Sequence, residues 1–330
     1  MQKSTKIVIT GASGFIGSHL AEFMFAKGFE VHCVVRKSSS LKYLQNEKYV
    51  IHTCGLENIN DLKTVFQGAK YIFHLAGTVS ALKYEDYIHG NVTITKNVLE
   101  AANALEIKPD KILITSSLAV AGPTTKDKPL LESQGFNALV RYGKAKVEQE
   151  KLAAEYFNDL NITIARPSPI TGIREVEMFE FFKTINNGIF PKVGFSEKYV
   201  GIIHITDLID AFYKMVSSEK TTSEAYFLAS EKAYSWTEIA AVSAKILNKK
   251  PFKLALPHFI ILIAGFFSGL FGKTIGKPQT FDYEKAKEGI QEAWLGSVEK
   301  AKNDFGFEQK TSLIEGVREA ILWYKKEKWL

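Results

Sequence analysis

The sequence predicts an α/β protein, a doubly wound parallel sheet with a smaller C-terminal lobe. Three observations carry this. Apolar runs rich in Ile and Val alternate with helical stretches through the first half of the chain. Consecutive apolar residues of that kind suit strands covered on both faces. A glycine-rich loop, Gly11-Ala12-Ser13-Gly14-Phe15-Ile16-Gly17, joins the first apolar run to the first helix. Finally, the residues with chemical potential follow Thr10, Leu75, Thr115 and Ala165. These are strand carboxyl ends, where such sheets bind ligands.

Taken in order, Lys6–Thr10 reads as a buried strand, 15–27 as a helix stopped by Gly28, and 30–35 as a second strand. A helix over 59–67 closes at Gly68, and the strand 70–75 runs into His74-Leu75-Ala76-Gly77. A long helix over 92–105, the strand Lys111–Thr115 with Ser116-Ser117 at its end, a helix over 141–157 and a strand over 162–165 complete the pattern. The division expected is a dinucleotide-binding domain over 1–170 and a mixed substrate lobe over 171–330, with 200–215 returning to the first domain. Past Thr221 the chain reads as short helical pieces and loops. The cluster Phe179, Phe181, Phe182, Phe190 and Phe195 reads as core, and Asp207 as a cap for the helix starting at Leu208.

Size and composition narrow the function classes. At 330 residues and 46% hydrophobic, the chain can bury a large core. The net charge of +6 reads as dispersed apart from Lys325-Lys326-Glu327-Lys328, with no basic stripe interleaved with aromatics, so nucleic acid is not expected as a partner. Cys33 and Cys54 sit in apolar strand contexts and form neither a disulfide framework nor a metal motif; a reducing cytoplasm fits. His74 and His204 have no companions at ligand spacing, so no metal is expected. The first residues lack the apolar stretch of a secretion signal. The segment 254–272 has no charged residue, but Pro257, His258 and three glycines interrupt it. It reads as a core or interface helix beginning after Pro257 rather than a membrane element.

The glycine loop predicts nucleotide binding. Gly11 permits a tight turn, Gly14 a close approach of backbone to a pyrophosphate, and Gly17 close helix–sheet packing, while Ser13, Phe15 and Ile16 present backbone N–H groups at a helix start. At the second strand's end stands Val35-Arg36-Lys37-Ser38, where an acidic residue would select NAD. Two cations there predict NADP, with NAD still possible.

Tyr142 and Lys146 lie four residues apart and share a helix face. A phenol with a pKa near 10 needs a neighbouring cation to act as an acid or base near neutrality. Lys146 is the expected source, and Ser117 is placed to hold a substrate oxygen.

Together these segments resemble the extended branch of the short-chain dehydrogenase/reductase superfamily, that is, the NAD-dependent epimerase/dehydratase family. Thr10 to Gly17, His74 to Gly77, Asn91-Val92 with Thr95, Thr115 to Ser117, Tyr142 to Lys146, Arg166-Pro167 with Gly172, and His204 to Asp207 appear in the family's order. The resemblance implies that Ser117 orients substrate, Tyr142 exchanges the proton, and Lys146 lowers the tyrosine pKa and holds the nicotinamide ribose. Ser116 is the alternative if the register is one residue off. It also implies that Thr115 and Pro167 line the nicotinamide, that Leu75, Ala76 and Gly77 lie along the cofactor, and that the protein is a homodimer through helices near Val92 and Tyr142. The last third is loosely similar to the 3β-hydroxysteroid dehydrogenase branch, and Arg36 is similar to the arrangement in dihydroflavonol-reductase-like enzymes.

The expected activity is NADP-dependent hydride transfer between nicotinamide and a ketone or secondary alcohol on an apolar small molecule. A nucleotide-sugar epimerase or dehydratase is the rival. Such an enzyme needs arginines to clamp a diphosphate. Of Arg36, Arg141, Arg166, Arg174 and Arg318, only Arg174 precedes the variable lobe in a suitable position. A nucleotide-binding regulator without chemistry is a third reading, disfavoured by an intact Tyr142 and Lys146.

Overall fold

In a computed structural model, which describes residues 4–44 and 47–330, a seven-stranded parallel sheet forms the centre. Its strands are β1 (Lys6–Thr10), β2 (Glu30–Val34), β3 (Val50–His52), β4 (Tyr71–His74), β5 (Lys111–Thr115), β6 (Ile162–Pro167) and β7 (Glu224–Leu228). The spatial order is β7-β6-β5-β4-β1-β2-β3. The order reverses beside β1, so the crevice above β1 and β4 is the ligand-binding point of a doubly wound fold.

The central stretches of the strands are apolar because both faces of the sheet are covered. Ile7, Ile9, Cys33 and Phe73 face one layer, and Val8, Val34, Ile72 and Ile112 the other. Helix α1 (Phe15–Ala26) belongs to the first layer; α2 (Ile59–Phe66) and α3 (Ile94–Asn103) belong to the second. A single π-helical turn, His89–Thr93, leads into α3, and turns of this kind often mark functional sites. Helix α4 (Arg141–Ala154) follows β5.

Two strands differ from expectation. β3 is short and half-exposed, with too little apolar patterning to stand out. β7 lies past Thr221, where short helices and loops were expected, and pairs in parallel with β6 from Glu224↔Thr163 to Leu228↔Pro167. The helix α5 (Ile205–Ser217) also packs into the α1 layer, so the sheet unit draws on chain well beyond residue 170. α5 is capped by His204, whose ring accepts from the Thr206 N–H. Asp207 does not cap; its carboxylate accepts from the Thr311 N–H at 3.0 Å and ties down the loop before the last helix.

The remaining chain packs as a lobe around Phe182, Ile185, Ile239, Ile321 and Tyr324. Four of the clustered phenylalanines serve this core as expected, whereas Phe195 is 76% exposed. The apolar segment 254–272 forms α6 (His258–Thr274), starting after Pro257. It is not a core helix: only Ile261, Gly265 and Gly272 are buried, against the loop and helix α7 (Tyr283–Gly289) that follow. No helix among the described residues is long and apolar enough to cross a membrane.

Candidate active site

The glycine turn closes onto the neighbouring strand. Gly11 has φ +71°, and a Cβ there would lie 2.7 Å from the Ala76 nitrogen. A Cβ on Gly17 would meet the Gly11 carbonyl at 2.2 Å, so α1 can start directly over the turn only as glycine allows. Gly14 is the N-cap of α1, carries no capping side chain, and no acid lies in the first turn. Ser13, Phe15 and Ile16 surround this helix start, which suits an anionic group. Leu75 and Ala76 line the same crevice: the Leu75 N–H donates to the Thr10 carbonyl, and the Ala76 N–H approaches the Thr10 hydroxyl at 3.4 Å.

At the end of β2, Arg36 and Lys37 are exposed, and the Arg36 N–H donates to the Ser39 hydroxyl. Both cations stand at the crevice edge with their charges open to solvent.

Ser117 and Tyr142 come together because α4 approaches the turn after β5 very closely. A Cβ on Gly143 would lie 2.6 Å from the Ala119 carbonyl. The Ser117 hydroxyl lies near enough to the Tyr142 phenol to act on its titration. Ser116 faces the other way and donates to the Glu150 carboxylate. Glu150 also receives two donors from Arg166, the closest at 2.7 Å, in a fully buried ion pair. The serine beside the tyrosine is therefore Ser117.

Lys146 is buried on the next turn of α4, and its ammonium donates to the Thr115 carbonyl and to Gln149 Oε1, each at 2.9 Å. From there a buried chain runs through the Gln149 amide to the Thr95 hydroxyl, to His74, and to Thr10 at the glycine turn. Sequence reasoning passed over Gln149 altogether; it lies three residues past Lys146, but its bond to Thr95 on another helix could not be seen without the tertiary structure. Gly77 borders the same place, since a Cβ there would lie 2.7 Å from Asn91 Oδ1 and 3.3 Å from the Lys146 ammonium.

The electrostatics differ from the expected lysine–tyrosine coupling. Burial pushes the Tyr142 phenol up to about 12, and the Ser117 hydroxyl and Lys285 only partly oppose this. Burial pulls Lys146 down to about 7, with Glu150 opposing. Lys146 is directed at Thr115 and Gln149, so the cation acting on the phenol from the lobe is Lys285, held by Glu288 at 3.3 Å and Glu177 at 3.5 Å. A half-buried, protonated phenol beside a hydroxyl is arranged to donate a proton.

The residues fit a dinucleotide. The glycine turn offers backbone to a pyrophosphate, and the Thr115 hydroxyl, at the carboxyl end of β5, is buried with no hydrogen-bond partner among the described residues. Pro167 ends β6 beside Thr115's strand. Among the described residues no group of three or more His, Cys, Asp or Glu is arranged to hold a metal.

A cavity of about 660 Å³ opens at the start of α4, lined by Arg141, the residue before Tyr142. Ala81, Leu82 and Arg141 form one wall; Ile263, Phe266 and Leu270 of α6 form the other. Ala81 also packs in the small cluster that holds Tyr142 and Tyr87.

Arg174 does not stand free as a clamp. Its guanidinium donates to the Ser18 hydroxyl and to Glu22, at 2.7 Å, and lies over the Tyr43 ring. Arg166 is held by Glu150, and Arg141 donates to the Leu82 carbonyl.

Comparison with known proteins agrees with this geometry. Residues 7–229 match the profile of the NAD dependent epimerase/dehydratase family. Over 328 residues the chain is 26% identical to a ceramide reductase from Caulobacter vibrioides, covering 98% of this chain and 96% of that one. It is 24% identical to an N-acetyl-alpha-D-glucosaminyl-diphospho-ditrans,octacis-undecaprenol 4-epimerase from Escherichia coli O157:H7, covering 86% and 84%. The fold is shared with the UDP-glucose 4-epimerase of Thermotoga maritima, at a TM-score of 0.81, 18% identity and coverage of 98% and 100%.

Proposed function

The chain belongs to the NAD dependent epimerase/dehydratase family and is an NAD(P)-dependent enzyme, and from that premise we propose that it is an NADP-dependent reductase of a ketone carried on an apolar or amphiphilic molecule, working in the reverse sense as an alcohol dehydrogenase. The observation that carries this reading is the cavity at the start of α4, with the apolar Ile263, Phe266, Phe267 and Leu270 of α6 as one wall and a single arginine, Arg141, tied to the Leu82 carbonyl. A diphosphate would need bidentate cationic partners there, and an alkyl chain needs apolar walls. Similarity to a ceramide reductase along nearly the whole chain favours the same substrate class, a lipid.

When bound, the nicotinamide supplies or accepts the hydride at the carbonyl carbon. Gly11, Ser13, Gly14, Phe15, Ile16 and Gly17 hold the pyrophosphate, Leu75, Ala76 and Gly77 border the dinucleotide, and Thr115 and Pro167 flank the nicotinamide. Arg36 and Lys37 attract a 2′-phosphate, which makes NADP the preferred cofactor over NAD. Ser117 donates to the substrate oxygen, and Tyr142 gives it a proton as negative charge develops. Lys146, fixed by Thr115 and Gln149, presents its remaining N–H to the ribose, while Lys285 is the cation that acts on the phenol. We place this chemistry in the cytoplasm, where the thiols of Cys33 and Cys54 remain reduced.

The test is a substrate panel. Stoichiometric oxidation of free NADPH with long-chain ketones, and no interconversion of UDP-sugars, is the expected result. Cofactor that copurifies and undergoes no net redox change while a UDP-sugar is epimerised would replace this reading with the epimerase one.

A further inference from the structure

The helix α6 turns its apolar side outward. Large side chains at Phe259, Ile263, Phe266, Phe267, Leu270 and Phe271 are between 48% and 61% exposed. At 100° per residue they fall on one continuous face, and the buried Ile261, Gly265 and Gly272 fall on the opposite one. Phe195 extends the patch, because Gly194 abuts His258 at the start of α6. The strand Phe252–Leu256, just before α6, adds Phe252 at 71% exposure. A soluble monomer rarely exposes so continuous an apolar surface without a use for it.

The charge along this segment is one-sided, and the acids Asp282 and Glu284 border α6 only on its inner edge, where it lines the cavity. From Ile239 through Phe281 the chain contains no Asp or Glu, yet it contains Lys245, Lys249, Lys250, Lys253, Lys273 and Lys277. All six are exposed. Elsewhere Lys and Arg equal Asp and Glu in number, so the net charge of +6 resides in this segment rather than being dispersed. Lys253 precedes the helix, Lys273 lies in its last turn and Lys277 follows it, so cations stand at both ends of the apolar face. That combination matches a helix lying in a membrane interface, its apolar side among acyl chains and its cations against anionic headgroups.

We propose that α6 and the lysines around it dock this protein on the surface of an anionic lipid bilayer, without crossing it. The docking face is also a wall of the cavity: Phe266, Phe267 and Leu270 line the space that leads to Ala81 and Arg141, next to Tyr142. An alkyl chain can then pass from the bilayer to the site without exposure to water. Docking itself requires neither cofactor nor catalysis and stands apart from the proposed reaction.

The experiment is vesicle flotation of the full-length protein. Wild type is expected to float with vesicles of phosphatidylcholine and phosphatidylglycerol in equal parts, and more weakly with phosphatidylcholine alone. Lys249→Gln with Lys253→Gln should lower affinity for the anionic vesicles roughly 25-fold, about fivefold per lysine. Phe267→Glu with Phe271→Glu should abolish flotation while NADPH binding is retained, which also reports that the variant folds. As a second measurement, Phe271→Trp should show blue-shifted emission on adding anionic vesicles. Wild type that stays in solution with both vesicle types overturns the proposal. So does a wild-type dimer that the Phe267→Glu, Phe271→Glu variant makes monomeric with no vesicle binding in either, because a second copy would then cover the face.

Discussion

Lys146 and Gln149 are hydrogen-bonded within one turn of α4, the ammonium donating to the amide oxygen at 2.9 Å in a site where both side chains are buried. The bond matters because a buried ammonium is costly unless its donors are satisfied, and only Gln149 and the Thr115 carbonyl satisfy them here. Gln149→Leu should therefore destabilise the protein by about 1–3 kcal/mol, read by urea denaturation. Gln149→Glu should do something different. A carboxylate at that position favours the charged amine and raises Lys146 above about 7, so the alkaline limb of the activity profile that depends on its proton should move to higher pH. An unmoved profile would separate Lys146 from the titration that limits turnover.

Tyr142→Phe keeps the ring packed against Tyr87, 6.4 Å away between centroids, and removes only the proton-bearing oxygen. Turnover should fall by about 10²–10⁴-fold with NADPH affinity nearly unchanged. Ser117→Ala should lower turnover less, because the phenol stays in place. Equal activity of wild type and Tyr142→Phe in steady-state NADPH oxidation would remove Tyr142 from the chemistry.

Cofactor choice rests on the edge of β2. Arg36→Asp replaces a cation with the anion that repels a 2′-phosphate and accepts ribose hydroxyls. Loss of one charge-assisted hydrogen bond of about 1.5–3 kcal/mol corresponds to roughly 10- to 150-fold weaker NADPH binding, with NADH binding improved. Fluorescence titration with both dinucleotides reads the switch.

The parts legible in the sequence were those whose information is local. β1, the glycine turn and α1 are contiguous, and each glycine has a steric reason that spacing alone implies. Tyr142 and Lys146 lie one helical turn apart, so their shared face follows from periodicity. The choice between Ser116 and Ser117 was not local: it depends on which hydroxyl meets Glu150, whose partner Arg166 is on another strand. The engagement of Arg174 with α1 and the membership of β7 in the sheet are long-range in the same sense. For α6, read as a core or interface helix, only the core alternative failed, for a different reason. An uncharged segment satisfies a core and an exposed interface equally well in periodicity, and only the tertiary structure shows which of its faces is left open.

Glu175 gives a stability prediction separate from catalysis. Its carboxyl is buried ahead of the helix Glu177–Asn186 and accepts the Met178 N–H at 2.6 Å. Burial raises it from 4.5 to about 7, against the opposing pull of the backbone N–H donors. The folded protein thus holds this proton over a range where the unfolded chain has released it. The stabilisation is complete below about 4.5 and is lost as pH rises through about 7. A displacement of that size corresponds to at most about 3 kcal/mol. Glu175→Gln keeps an acceptor for the helix start without a charge to bury. It should flatten the pH dependence of stability between about 5 and 7 and make the variant more stable than wild type at pH 8. Denaturation midpoints for both proteins at pH 5 and pH 8 check this, and a variant less stable than wild type at pH 8 would mean that the ionised carboxylate, through its N–H donors, outweighs the cost of its burial.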